Sequence, residues 1–146
     1  MYWAEASGQK VRRADLDGSR AEDLVSSVGA AEIALDVAAG KDYWADNFVT
    51  GWIQRANLNG TGVENLNTVA SYRTGIALDV AHGKIYWSNR FWGDIERSNL
   101  DGTGWEFLVT NLDSPVGIAL DVAAGKMYWG NGETRRFAAP TSTVQR

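Results

Sequence analysis

The sequence contains no cysteine, a single histidine and only two prolines among its 146 residues. Without cysteine there is neither a disulfide framework nor a thiolate metal site, and one histidine cannot build a Cys–His pair or a histidine metal cluster within one chain. No apolar run approaches the roughly 20 residues that span a bilayer. The formal net charge of −4 gives no support for binding to nucleic-acid phosphates or anionic membranes. We therefore expect no cofactor, no nucleic-acid partner and no membrane partner.

The chain is rich in glycine and in aromatic residues, with sixteen Gly, seven Trp and five Tyr. Three markers recur at one period of about 42 residues. Ala-Leu-Asp-Val starts at positions 34, 77 and 119, Tyr-Trp at 2, 43, 86 and 128, and Leu-Asp/Asn-Gly at 16, 58 and 100. Because independent markers keep the same period, we interpret the chain as a repeat protein.

Each repeat divides into four short segments separated by turn residues, such as 33–37, 42–45, 52–57 and 63–67. Asn59-Gly60 between the last two segments is a typical hairpin turn. Four strands in about 42 residues predict an all-β fold, a β-propeller of four-stranded antiparallel blades. With strands named A to D from the centre outward, one domain spans 1–146. The first blade has strands B to D in 1–27, closed by an A strand at 116–122; blade two is 31–69, blade three is 74–111, and 126–146 is an overlap.

Three motifs carry a resemblance to a known family: Gly-Ile-Ala-Leu-Asp at 75–79, Gly-Lys-Ile-Tyr-Trp at 83–87 and Ile-Gln-Arg-Ala-Asn-Leu-Asn-Gly at 53–60. Together they resemble the YWTD repeat, or class B repeat, of the low-density lipoprotein receptor family. The resemblance implies a six-bladed propeller, a location outside the cell and a loop face that binds peptide segments of partner proteins. At the end of the signature only Asp46 keeps the acid of the motif, and the Cys-rich modules of the receptors are absent. Residues 1–5 lack the character of a signal peptide, so the sequence itself assigns no compartment.

About three blades are encoded, whereas propellers close with four to eight. Three blades alone leave apolar blade faces and strand edges open. We therefore predict a homodimer that closes one six-bladed ring, in which the first blade of each chain takes its A strand from the partner. Two B strands, at 1–3 and 126–129, then compete for one place. The alternative is that the sequence is a piece of a longer propeller.

Residues that recur in every repeat are interpreted as structural. Aspartates after the A strand and Asp or Asn before the turn glycine are expected to cap backbone N–H groups, and the recurring arginines to bond between blades. The two side chains of each Tyr-Trp pair point to opposite faces of a strand and should pack against both neighbouring blades. His82 is expected to be an exposed turn residue. The positions concerned are Asp36, Asp79, Asp121, Asp17, Asn59, Asp101, Arg13, Arg55 and Arg97.

What varies between the repeats is the set of B–C loops and D–A connections, which alternate strand direction places on one end of the ring. Loops on a rigid scaffold commonly carry recognition, and aromatic residues with Arg are typical of interaction hot spots. The predicted binding residues are Asp46, Phe48, Trp52, Tyr72, Arg73, Asn89, Arg90, Phe91 and Trp92. The alternative for each is packing between blades beneath the loops.

The favoured functional hypothesis is a non-catalytic module that binds a protein or peptide through this loop face. A second class is a structural or engineered self-assembling repeat without a ligand, which the near-identical Leu-Asp-Val-Ala segments support. A third class is a propeller hydrolase with a metal in the central channel. That reading needs unlike Asp, Glu or Asn ligands from several blades, and the similarity of the A strands argues against it.

Overall fold

A computed structural model describes residues 1–46, 51–67 and 72–132, and the backbone of 144–145. These residues form β-strands and no helix, so no helix among them is long and apolar enough to cross a membrane. The strands are β1 (Tyr2–Glu5), β2 (Lys10–Arg13), β3 (Glu22–Ser26), β4 (Ala30–Asp36), β5 (Lys41–Asp46), β6 (Ile53–Asn57), β7 (Glu64–Asn67), β8 (Arg73–Asp79), β9 (Lys84–Asn89), β10 (Asp94–Asn99), β11 (Glu106–Val109), β12 (Pro115–Asp121), β13 (Lys126–Asn131) and β14 (Val144–Gln145).

The strands form four antiparallel sheets in which chain neighbours pair with each other. Their orders are β1-β2-β3, β4-β5-β6-β7, β8-β9-β10-β11 and β12-β13-β14. The two middle sheets confirm the predicted four-stranded antiparallel blade. Within the described residues, the first sheet has no A strand. In this chain β12 pairs with β13, with Ile118 opposite Trp129.

The A strands β4, β8 and β12 lie side by side and join the sheets. Glu32 on β4 accepts the backbone N–H of Ile76 on β8 at 3.1 Å. On the other side of β8, the hydroxyl of Thr74 donates to the Val116 carbonyl of β12 at 3.1 Å, and the hydroxyl of Ser88 donates to the same carbonyl. The third sheet is therefore held on both sides by bonds to a neighbouring A strand.

The Tyr43-Trp44 pair packs as predicted, with the two side chains on opposite faces. Trp44 is fully buried and packs with Val11 and Val25 of the preceding sheet. Tyr43, which is 2% exposed, packs with Ile76 and other apolar residues of the following sheet. Trp44 thus faces the preceding sheet and Tyr43 the following one, and Trp87 likewise packs with Tyr43 and Ile53 of the sheet before it.

The recurring acidic and amide residues cap turns, as predicted. Asp36, Asp79 and Asp121 accept backbone N–H groups three residues further on, at 2.9, 3.1 and 3.0 Å. A second set, at the turn glycines, accepts N–H groups two residues further on: Asp17, Asn59 and Asp101, at 2.9, 3.1 and 2.9 Å. The side chain of His82 is 69% exposed and contacts the Asp79 carboxylate at 2.8 Å, which confirms it as an exposed turn residue.

One core position departs from the repeat. Asp42 is fully buried at the place on the B strand that Ile85 occupies in the next sheet. The neighbouring Lys41 directs its amine to Asn57 instead, at 2.7 Å. Burial raises the pKa of Asp42 from 3.8 to about 6, against a smaller lowering effect of the backbone N–H groups of Asp42 and Ala56. A carboxylate in this position costs the fold stability whenever it is ionised.

We expect Asp42→Ile to raise the free energy of unfolding at pH 7.5 by about 3 kcal/mol, since each pKa unit corresponds to ~1.4 kcal/mol. The folded-state pKa is raised, so the penalty is absent below about pH 4 and grows as the pH rises to about 6. Urea unfolding at pH 4 and pH 7.5 measures this. Asp42→Asn is the isosteric control and should remove the part of the pH dependence of unfolding free energy that comes from Asp42. An unchanged pH dependence in that variant would contradict the raised pKa of Asp42.

Candidate functional site

Three exposed aromatic side chains lie together at the loop end of the third sheet. Tyr72 precedes β8, and Phe91 and Trp92 lie in the β9–β10 loop, with exposed fractions of 58%, 72% and 46%. The rings of Tyr72 and Phe91 are 6.0 Å apart, and the Arg90 N–H donates to the Tyr72 carbonyl at 3.0 Å. We call Tyr72, Phe91 and Trp92 the aromatic patch. It joins a D–A connection to a B–C loop, the two kinds of segment that the sequence places on one end.

Asn89, at the end of β9, organises the loop that carries the patch. Its side-chain oxygen accepts the backbone N–H groups of Phe91 and Trp92, both at 3.2 Å. Its amide nitrogen donates to the carboxylate of Glu96 on β10 at 3.3 Å. Asn89 and Glu96 are both fully buried. Buried hydrogen bonds therefore fix the backbone of the two exposed aromatic residues.

The far end of the loop is fixed to the connection between β11 and β12. The backbone N–H of Leu112 donates to the Gly93 carbonyl at 2.7 Å. Gly93 has a φ of 70°, and a Cβ added there would lie 2.3 Å from the Leu112 carbonyl oxygen. Only glycine fits this close approach. The loop is therefore held at both ends by backbone contacts.

Beneath the patch lies a layer of buried charge. The guanidinium of Arg73 stacks over Trp87 at 5.2 Å and is fully buried, and burial lowers the pKa of Arg73 to about 10. Burial, and then the charge of Glu96, raise the pKa of Asp94 to about 7, while Arg73 acts in the opposite direction. Trp105 donates its indole N–H to Glu96. Arg73, Asp94 and Glu96 are at most 4% exposed, so their geometry suits support of the loop, whereas Trp105 is 40% exposed.

The structure separates the predicted site residues into three groups. Tyr72, Arg90, Phe91 and Trp92 are exposed, whereas Arg73, Asn89 and Asp46 are at most 6% exposed. Trp52 is half-buried, and its carbonyl accepts the Asp46 N–H at 2.9 Å. Phe48 lies outside the described residues. A direct part in binding stays a prediction for all nine.

Sequence reasoning did not identify Glu96 and Trp105 as supports of the site. The sequence does contain a signal for Glu96, because the equivalent positions of the other repeats hold Arg12 and Gln54. A position that faces a neighbouring sheet and varies between repeats indicates a local difference in packing. Among the described residues no group of three His, Asp or Glu side chains is placed to hold a metal ion.

No protein-family model and no curated protein matches the chain. Solved structures define its class, which is the β-propeller. A chain from the crystal structure of a nidogen/laminin complex superposes with a TM-score of 0.82 at 29% identity, over 89% of this chain and 51% of that one. That chain is a YWTD β-propeller of the low-density lipoprotein receptor type, which confirms the resemblance carried by the repeat motifs.

Two enzyme structures share the fold at much lower identity. A putative gluconolactonase has a TM-score of 0.70 at 14% identity, over 95% of this chain and 53% of that one. Streptogramin B lyase has a TM-score of 0.68 at 16% identity, over 88% and 43%. The chain thus spans about half the length of the propellers that it matches.

We expect Asn89→Ala to lower the free energy of unfolding by about 2 kcal/mol, because it leaves the buried Glu96 carboxylate without its amide donor and two loop N–H groups without their acceptor. Urea denaturation gives the loss, and hydrogen exchange should show faster exchange at residues 90–93. Asn59→Ala, which removes a cap in an exposed turn, is the control and should affect only its own turn. Unchanged exchange at 90–93 would show that Asn89 does not order the loop.

Proposed function

We propose that the chain is a non-catalytic β-propeller module that binds a protein or peptide through the aromatic patch and the adjoining Arg90. The observation that carries the proposal is the exposure of Tyr72, Phe91 and Trp92 on loops that backbone bonds hold in place. Aromatic residues and arginine dominate binding energy at protein interfaces. A rigid base also reduces the ordering entropy that binding costs.

The comparisons support protein recognition more than catalysis. The propeller of highest identity among those described comes from a complex of two proteins. The lyase and the gluconolactonase share only the fold, at 16% and 14% identity, and a fold hosts many functions. We therefore also propose that the chain is not an enzyme.

The test is selection of binders from a displayed library of linear peptides, followed by affinity measurement with the selected peptides. We expect Phe91→Ala and Trp92→Ala each to weaken binding at least tenfold, as loss of a hot-spot aromatic does. Phe107→Ala is the matched control, because Phe107 is 47% exposed, close to the 46% of Trp92, but lies on the outer strand β11. Equal losses from Phe107 and Trp92 substitutions, or none from either, would contradict this face as the site.

We further propose that two copies of the chain close one six-bladed ring. In the middle sheets Trp44 and Trp87 are fully buried. In the first sheet the equivalent Trp3 is only half-buried, and within the described residues no sheet precedes it. In the proposed ring the third sheet of a second copy would cover Trp3.

Light scattering of the intact chain at micromolar concentration should give twice the 15.9 kDa mass of one chain. Dilution should lower the measured mass toward that of one chain as dimers dissociate. A single-chain mass at every concentration up to the millimolar range would overturn the dimer.

A further inference from the structure

Two junctions between neighbouring sheets are built in the same way, beginning with an arginine. Arg13 on β2 donates from Nη1 to the Leu58 carbonyl of the second sheet at 3.0 Å. One repeat later, Arg55 on β6 donates to the Leu100 carbonyl of the third sheet at 2.9 Å. In each case a C-strand arginine of one sheet bonds the C–D turn of the next.

The same arginines each form an ion pair with a glutamate on the neighbouring D strand, which orients the guanidinium. The pairs are Arg13 with Glu22 and Arg55 with Glu64, at 2.7 Å each. Arg97 on β10 keeps this arrangement, with its Nε donating to Glu106 at 2.9 Å. Its Nη1, however, donates only to the Tyr86 hydroxyl, at 3.3 Å, and bonds no backbone carbonyl within the described part of the chain. Arg97 therefore has the orientation of the other two without their acceptor.

The turn glycines form the second contact of each junction. A Cβ added to Gly60 would lie 2.3 Å from the Leu24 carbonyl oxygen, and one added to Gly102 would lie 2.2 Å from that of Leu66. The C–D turn of one sheet is thus seated against the D-strand backbone of the sheet before it. The first turn of the chain has no such seat, because nothing lies within 4 Å of a Cβ added to Gly18.

Leucine exposure follows the same pattern. Leu58 and Leu100 are half-buried at their junctions, whereas Leu16, at the same place in the first repeat, is 89% exposed.

One end of the chain thus carries the donor half of a junction, which consists of Arg97 and the β11 backbone at Leu108. The other end carries the acceptor half, the turn with Leu16 and Gly18. The two halves are complementary and belong to the same 42-residue pattern.

We propose that these halves join between two copies: Arg97 of one copy donates to the Leu16 carbonyl of the second, whose Gly18 rests against the Leu108 backbone. This inference rests on the proposed dimer and names the contacts that hold it. Each chain offers both halves, so two copies form two identical junctions and leave none open. Such closure about a two-fold axis is the commonest form of a homo-oligomer.

The junction requires the first sheet of the second copy to follow the third sheet directly, where β13 lies in the single chain. Strand β1 must then pair with β12 of the other copy. The register is available, because β4 pairs with β5 through Ile33 and Trp44 and β12 with β13 through Ile118 and Trp129. Trp3 of the second copy would take the place of Trp129. Exchange of β13 for β1 keeps the backbone hydrogen bonds that β12 makes to a B strand. Ring closure additionally buries the faces of the end sheets that the single chain leaves open.

The first test places a side chain at the seated glycine. We expect Gly18→Val to raise the dimer dissociation constant at least tenfold, since the equivalent Cβ positions at Gly60 and Gly102 overlap a carbonyl oxygen. Gly83→Val is the matched control: Gly83 also has positive φ and open space around an added Cβ, but lies in an A–B turn. Both variants carry similar backbone strain, so only Gly18→Val should change the dissociation constant in sedimentation velocity.

The second test removes the donor. Arg97→Gln should weaken the dimer about tenfold and should lower the stability of the isolated chain less than Arg55→Gln does. Both substitutions remove an ion pair with a D-strand glutamate, but only Arg55→Gln also removes an internal bond to the next sheet, at Leu100. Hydrogen exchange on the native dimer should show protection at residues 1–5 and fast exchange at 126–131.

The outcomes separate the two proposals. A chain that stays monomeric overturns the dimer and this junction together. A dimer that tolerates both Gly18→Val and Arg97→Gln, or that protects 126–131 while 1–5 exchange freely, leaves the dimer standing and overturns the junction proposed for it.

Discussion

Each sheet of this protein must be covered on both faces, and the alternation of side chains along a strand determines how that is done. Adjacent Trp and Tyr on a B strand reach the preceding and the following sheet, so Trp44 and Tyr43 belong to two different cores. No sheet buries both its aromatic residues alone. Stability is therefore a property of neighbouring pairs of sheets, as in other repeat architectures, and the sheets at the two ends are the weak points.

The same requirement explains where the sequence repeats and where it varies. Positions that face the following sheet recur, as Arg13, Arg55 and Arg97 do with their glutamates. Positions beside the Trp are less uniform: Gln54 accepts the Trp44 indole N–H, whereas the equivalent Glu96 accepts that of Trp105 and an amide of Asn89. Through Asn89 this change connects the buried Glu96 carboxylate to the β9–β10 loop that carries Phe91 and Trp92.

Much of the fold follows from the sequence because its information is local and periodic. The 42-residue period predicts the strands, the hairpin turns and the capping role of residues such as Asp36 and Asp101, and the structure confirms each of these. Burial of Arg73 and Asp42 was not predictable in the same way. Both depend on which neighbour covers a position, and charged residues at strand positions usually indicate an exposed side. The predicted loop face includes Arg73 because it lies next to Tyr72 in the sequence, whereas the structure distinguishes exposed from supporting positions.

Recognition and assembly use different bonds of the third sheet, although they meet on it. The aromatic patch depends on Asn89 and on the contact between Gly93 and Leu112, and β12 is anchored to β8 through Thr74 and Ser88. None of these bonds involves β13. Gly132, just beyond β13, approaches this region: its N–H donates to the Ser114 carbonyl, and a Cβ added to it would lie 3.6 Å from the guanidinium carbon of Arg90. Replacement of β13 by β1 of a second copy would thus leave the bonds beneath the aromatic patch intact, while it would change the surroundings of Arg90, so ring closure and recognition meet at that residue.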